Sequence, residues 1–241
     1  MRLDKLLSQM GEGTRQQVRL LVRAGHVAVD GSPARDAGMI IDTAAQRVTV
    51  DGCLLAWQDT RTVMLNKPAG VLTAARDPKQ PTVLDLLPPL YRAMGCMPAG
   101  RLDKDTEGML ILTTDGQLAH RLIAPAKEVG KQYEAEVDGP LDEGDVRAFA
   151  EGLPVRDADG AFTAKPAVLE ILSAGQARSV ACVTVTEGKY HQVRRMFAAR
   201  GRTVLALRRL SIGALHLDPA LAPGQWRELT QEETALLEVR A

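Results

Sequence analysis

The chain has 241 residues, and its 30 Lys plus Arg balance 30 Asp plus Glu, for a net charge of zero. That length suits one large domain or two small ones, and the bulk charge argues neither for nor against a nucleic-acid partner. The three cysteines, Cys53, Cys96 and Cys182, are odd in number and far apart, which excludes a disulfide framework and a zinc-finger spacing. Aromatics are 3% of the chain, so the cores must be built from Leu, Val, Ala and Met. Neither a signal-peptide core nor a membrane-length apolar run is present, so a reduced, cytoplasmic protein is expected.

In chain order, Leu3, Leu6, Leu7 and Met10 recur at helical spacing, and Gly11 and Gly13 break that helix. Thr14 can cap a second helix running to Ala24, with Gly25 as its stop. Val18, Leu21 and Val22 form the buried stripe of this helix, while Arg15, Arg19 and Arg23 fall on another face at successive i, i+4 positions. Strands His26 to Val29 and Arg47 to Val50 each end at an Asp-Gly turn signal. The segment from Ala56 to Thr62 lacks periodicity and reads as a linker. Two domains are therefore expected, 1–58 and 62–241.

The second domain opens on the apolar strand Val63-Met64-Leu65 and a turn at Asn66-Lys67-Pro68-Ala69-Gly70. Further strands fit Met109 to Leu112, the alternating Tyr133, Ala135 and Val137, the pair Val183 and Val185, and Val204 to Leu207. Helices fit Gln117 to Ile123, Glu143 to Glu151 and Tyr190 to Arg200, and a last one begins at the capping-box sequence Thr230-Gln231-Glu232-Glu233. Strands and helices do not alternate in βαβ fashion, so the fold class expected is α+β, with a mixed, largely antiparallel sheet and flanking helices.

Charge is unevenly spread. Glu187 to Arg209 holds seven Lys or Arg and one acid, whereas Glu134 to Gly160 holds nine acids and two bases. One basic segment on a neutral protein can present a polyanion-binding face, though two solvated faces of opposite sign explain the same counts. The densest charge lies in Gly100-Arg101-Leu102-Asp103-Lys104-Asp105-Thr106-Glu107-Gly108, directly before an apolar strand. Such a loop could hold a carboxylate against a substrate; spacing alone allows a solvent-exposed turn equally well. Its three acids also admit the paired carboxylates of a glycoside hydrolase, a reading disfavoured by the scarcity of aromatics for sugar stacking.

Two resemblances decide between these readings. The run Arg2-Leu3-Asp4-Lys5-Leu6-Leu7, followed by Ala24-Gly25-His26-Val27 and Val29-Asp30-Gly31, resembles the alpha-L RNA-binding domain of a small-subunit ribosomal protein. This implies Arg15, Arg19, Arg23 and His26 as phosphate contacts. The runs Leu65 to Gly70, Gly100 to Gly116, Lys131-Gln132-Tyr133 and Glu187 to Phe197 resemble, in order, the motifs of pseudouridine synthases of the RsuA/RluB/RluE/RluF group. The details most resemble the RsuA branch, acting on 16S rRNA at the uridine usually numbered 516. Relatives acting on 23S rRNA and a non-catalytic ribosome-assembly protein are the alternatives.

The resemblance implies a catalytic role for Asp103, with Arg194 set against it and Tyr133 stacking on the uracil and relaying a proton at C5. Arg101 would bind Asp103 or a phosphate, and Lys189, His191, Arg195, Arg200 and Arg202 the RNA backbone. Lys67 would serve the turn or a phosphate. The reaction breaks the ribose C1′–N1 bond and rejoins C1′ to C5 without redox change, so no cofactor is expected. Ribosomal RNA, in a partly assembled small subunit, is the expected partner of a monomer.

Overall fold

The computed structural model describes residues 1–241 apart from 56, 58, 59, 125, 126, 159 and 239–241. It divides into two compact units, one of residues 1–61 with 87–96, the other of residues 62–86 with 97–241. The expected linker includes Ala56, Gln58 and Asp59, which lie outside the described residues.

In the first unit, helices α1 (Leu3–Gln9) and α2 (Arg15–Arg23) precede β1 (Val27–Val29), β2 (Ser32–Pro33), β3 (Val48–Val50) and β4 (Cys53–Leu54). The strands form an antiparallel sheet in the order β2-β1-β3-β4. Thr14 caps α2 through a reciprocal capping box with Gln17. Both Asp-Gly pairs take positive φ, 51° and 78° at Asp30-Gly31 and 50° and 78° at Asp51-Gly52, as tight hairpins between right-twisted strands require. Leu3, Leu6, Leu7, Val18, Val22, Val27 and Val48 close the core. One departure from the expected boundary is Leu87–Cys96, carrying α3 (Pro89–Ala93), which groups with this unit because α3 packs on α1.

The second unit runs through β5 (Thr62–Lys67), β6 (Met97–Pro98), β7 (Glu107–Thr113), α4 (Gly116–Ile123), β8 (Lys131–Asp138), α5 (Glu143–Glu151), β9 (Pro154–Asp157), β10 (Gly160–Thr163), β11 (Val168–Ala174) and β12 (Arg178–Val185). It ends with α6 (Gln192–Ala199), β13 (Val204–Ile212), β14 (Leu215–His216), β15 (Trp226–Glu228) and α7 (Gln231–Glu238). The main sheet has the order β11-β12-β8-β13-β7-β5-β15, with β13–β7 parallel and the other pairs antiparallel. The fold class is therefore the expected mixed, largely antiparallel sheet with flanking helices.

Leu118, Ala119 and Leu122 of α4 and Leu237 of α7 cluster with Met109, Ile111 and Ile212. The alternate residues Leu110, Leu112, Val63 and Leu65 are just as buried, so the central strands are covered on both faces. Phe149 of α5 packs on Phe197 of α6, ring centroids 5.0 Å apart. The helix expected from Tyr190 begins two residues later, because His191 takes the left-handed conformation, φ 48° and ψ 32°. Among the described residues no helix is long and apolar enough to cross a membrane.

Candidate active site

The charged loop between β6 and β7 is tied down from beneath. Lys67, at the end of β5, is fully buried, and its Nζ donates to the carbonyls of Pro68 at 3.0 Å, Lys104 at 3.1 Å and Thr106 at 2.9 Å. An ammonium has three protons to give, and all three are used. Burial lowers its pKa to about 8, against the opposing pull of Asp105, Asp103 and Glu107. Of the two roles open to Lys67 in the sequence, the structure shows the loop-holding one. Thr73 Oγ1 donates to the Leu102 carbonyl at 2.8 Å, and Gly70 N donates to the Lys104 carbonyl at 2.8 Å. Gly108 (φ +99°) ends the loop where only glycine fits, since a Cβ there would overlap the backbone of Arg209.

Asp103 emerges from this loop with its side chain 29% exposed, lining a small cavity of about 70 Å³ with Thr106, Tyr133, Val185, His191 and Leu207. Tyr133 is nearly buried, as the alternation along β8 requires. Arg209 of β13, 2% exposed, directs Nη1 toward Tyr133 Oη at 3.5 Å and donates from Nε to the Met109 carbonyl at 2.7 Å. His191 Nε2 lies 3.5 Å from Asp103 Oδ1, and its ring stacks on Tyr190 at 3.9 Å. Gln192 fixes the approach to α6: its Oε1 accepts from Lys189 N at 2.9 Å and its Nε2 donates to Glu187 Oε1 at 2.8 Å. A carboxylate held at a cavity wall beside an aromatic ring backed by a buried arginine can stabilise an electron-deficient centre or accept a proton.

A family model for RNA pseudouridylate synthase matches residues 61–199, and one for the S4 domain matches residues 1–48. The chain belongs to the RNA pseudouridylate synthase family. It is 48% identical to "Uncharacterized RNA pseudouridine synthase YtzG" of Bacillus subtilis, over 98% of both chains. To "Ribosomal small subunit pseudouridine synthase A" of Pseudomonas aeruginosa it is 42% identical, over 97% of this chain and 98% of that one. To the Escherichia coli protein of that name the identity is 40%, over 98% and 99%. A solved structure described as a pseudouridylate synthase superposes with a TM-score of 0.68 at 36% identity, covering 98% of this chain and 99% of that one. These relatives make it an RsuA-type rRNA pseudouridine synthase, an isomerase with an RNA-binding S4 domain.

Within this synthase the cations expected at the site divide. Arg194 does not reach Asp103. Its Nη1 is held by the Val204 carbonyl at 3.1 Å, so Nη2 meets Asp105 at 2.9 Å, two residues along the loop. The partner of Asp103 is instead His191, which the left-handed turn before α6 swings inward. Arg195, expected on RNA, is buried: Nη2 donates to the Gly160 carbonyl at 2.8 Å, and the guanidinium lies 4.7 Å from the Phe162 ring centre. Lys189 bonds the Thr163 carbonyl at 3.1 Å and sits 4.4 Å from the same ring centre. Arg200 pairs with Asp145 at 2.8 Å. Arg101 is exposed and lines the cavity. In the S4 domain Arg15, Arg19, Arg23 and His26 are all exposed, with Arg19 3.7 Å from the buried Asp4 and His26 paired with Asp51 at 2.5 Å. The residues that motif order does not single out are Arg209 and Thr73; the first is hidden among the other basic residues of its segment.

Proposed function

We propose that this enzyme converts uridine 516 of 16S rRNA to pseudouridine, acting as a monomer on a partly assembled small subunit. Asp103 is its catalytic carboxylate. The observation that carries the reading is the placement of Asp103 on a pinned loop, at the wall of a cavity that Tyr133 also lines. The target uridine leaves its stack to reach that carboxylate, and Tyr133 meets the base. Asp103 then answers the electron deficiency at C1′ as the C1′–N1 bond breaks. Arg194 acts on the loop through Asp105, and the exposed Arg15, Arg19 and Arg23 of the S4 domain hold phosphates. The 16S target is supported by relatives named for the small subunit that align over nearly the whole chain. Mapping pseudouridines in rRNA from cells with and without the gene tests it. Loss at position 516 alone is expected; loss confined to 23S rRNA would contradict the target and leave the isomerase activity standing.

A further inference from the structure

Behind Tyr133 lies a second cavity of about 450 Å³, sharing Arg101, Tyr133, Glu187 and Gly188 with the one that holds Asp103. Pro98, Leu122, Ile123 and Ile212 make part of it apolar, yet it also carries the cations Arg209 and Lys131. Among the described residues neither cation has an ion-pair partner. Arg209 places one N–H on the Met109 carbonyl and directs another at Tyr133 Oη, while its buried Nη2 has no acceptor. Lys131 Nζ donates only to the Val129 carbonyl, at 2.8 Å.

The carboxylate on this wall, Glu187, is committed elsewhere. Its Oε1 accepts from Lys165 N at 3.0 Å and Gln192 Nε2 at 2.8 Å, and its Oε2 lies 3.5 Å from Lys189 Nζ. Buried positive charge without a counter-charge is costly, and here its presence is felt: burial, with the Arg209 charge added, lowers the Lys131 pKa to about 8. A structural purpose alone would be served by a neutral side chain or a paired one.

We propose that Arg209 and Lys131 are catalytic electrostatic groups that stabilise the uracil anion released when the glycosidic bond breaks. This rests on the pseudouridine-synthase reaction with Asp103 at C1′. When C1′–N1 breaks, the bonding pair stays with the base, and the negative charge spreads over the ring and its two carbonyl oxygens. The base turns, C5 gives a pair to C1′ to form the new C–C bond, the C5 proton leaves and N1 takes up a proton. Atoms and electrons balance with no further reactant. Two fixed cations beside the ring oppose this charge in any orientation of the turning base, and they need no reorganisation at the moment of cleavage.

The test compares 16S rRNA, bare and assembled with small-subunit proteins, and 23S rRNA, each transcribed with uridine or with 5-fluorouridine, in single-turnover reactions. Cleavage is read as loss of the target nucleoside from a nuclease digest. Fluorine withdraws electrons and makes the base a better leaving group, so it needs less help from the protein. Arg209→Met and Lys131→Met should each slow cleavage of uridine about 100-fold and of 5-fluorouridine far less, with Arg209→Lys recovering part of the loss. Lys131→Met, on the less buried residue, keeps the test open if Arg209→Met fails to fold. Equal slowing on both transcripts, or none on either, would overturn the proposal while wild-type turnover upholds the reaction. A wild-type enzyme that forms pseudouridine in none of the uridine-containing RNAs, bare or assembled, would overturn both.

Discussion

The S4 helix α2 and the sheet beneath Asp103 are both rich in arginine, and they use it in opposite ways. On α2 the guanidinium groups of Arg15, Arg19 and Arg23 stand in solvent. In the catalytic domain Arg195 and Arg209 are buried: each donates to a backbone carbonyl, and Arg209 also faces Tyr133 while its Nη2 is left without an acceptor. An exposed guanidinium is free for a phosphate; a buried one fixes geometry or supplies a field inside the protein. Arginine density therefore says little about RNA contact until burial is known.

Substitutions can break this contrast. The largest loss of stability is expected at Lys67, whose three bonds hold the catalytic loop: Lys67→Met leaves three carbonyls without their donor and should cost about 3 kcal/mol, measured by urea unfolding. The pH dependence sharpens the point. The folded pKa, about 8, lies below the ordinary lysine value, so the unfolded chain holds more protons above that pH. The wild type should therefore gain stability as pH rises past about 8, and Lys67→Met should keep only the part of that gain owed to Lys131, whose pKa also lies near 8.

Arg195→Met should cost roughly 1–3 kcal/mol, since the Gly160 carbonyl and the Phe162 ring lose their partner. The salt dependence of rRNA binding should not change. Arg15, Arg19 and Arg23 replaced together by Ala should do the reverse. Stability should shift by less than about 0.5 kcal/mol per site, while the log–log salt slope falls by roughly 0.7–0.9 for each phosphate no longer neutralised. A stable Arg195→Met with a reduced slope, or a destabilised α2 variant with an unchanged slope, would reverse the assignment of the two regions.

How far the sequence can be read follows the same line between local and distant contacts. α5 is expected at Glu143 to Glu151 and lies there, because its cap and its periodicity are carried on one short stretch. Asp103 and Tyr133 stand out because their motifs are contiguous. The partner of Arg194 is not legible, since it depends on how α6 meets the loop and on a carbonyl of Val204. The start of α6 differs from the expected one because a histidine, not a glycine, takes the left-handed residue there. The hairpin β9–β10 and strand β11 have no clear sequence signal; β11 is mostly exposed and does not alternate cleanly. Arg209 is buried by the parallel pairing of β13 with β7, where Arg209 lies opposite Gly108. That is a contact between residues about a hundred positions apart, and periodicity along either strand does not report it.

The central claim is that Asp103 performs the chemistry while its loop neighbours hold it in place. Single-turnover pseudouridine formation on a 16S fragment or a small-subunit particle, measured beside rRNA binding, compares Asp103→Asn with Asp105→Asn. Asparagine keeps the shape of aspartate and removes the charge, so Asp103→Asn should fold and bind rRNA yet lose turnover by several orders of magnitude. Asp105→Asn gives up the ion pair between its exposed carboxylate and the half-buried Arg194, worth about 1 kcal/mol, and should keep its rate within about tenfold. Near-normal turnover by a folded Asp103→Asn would contradict the account.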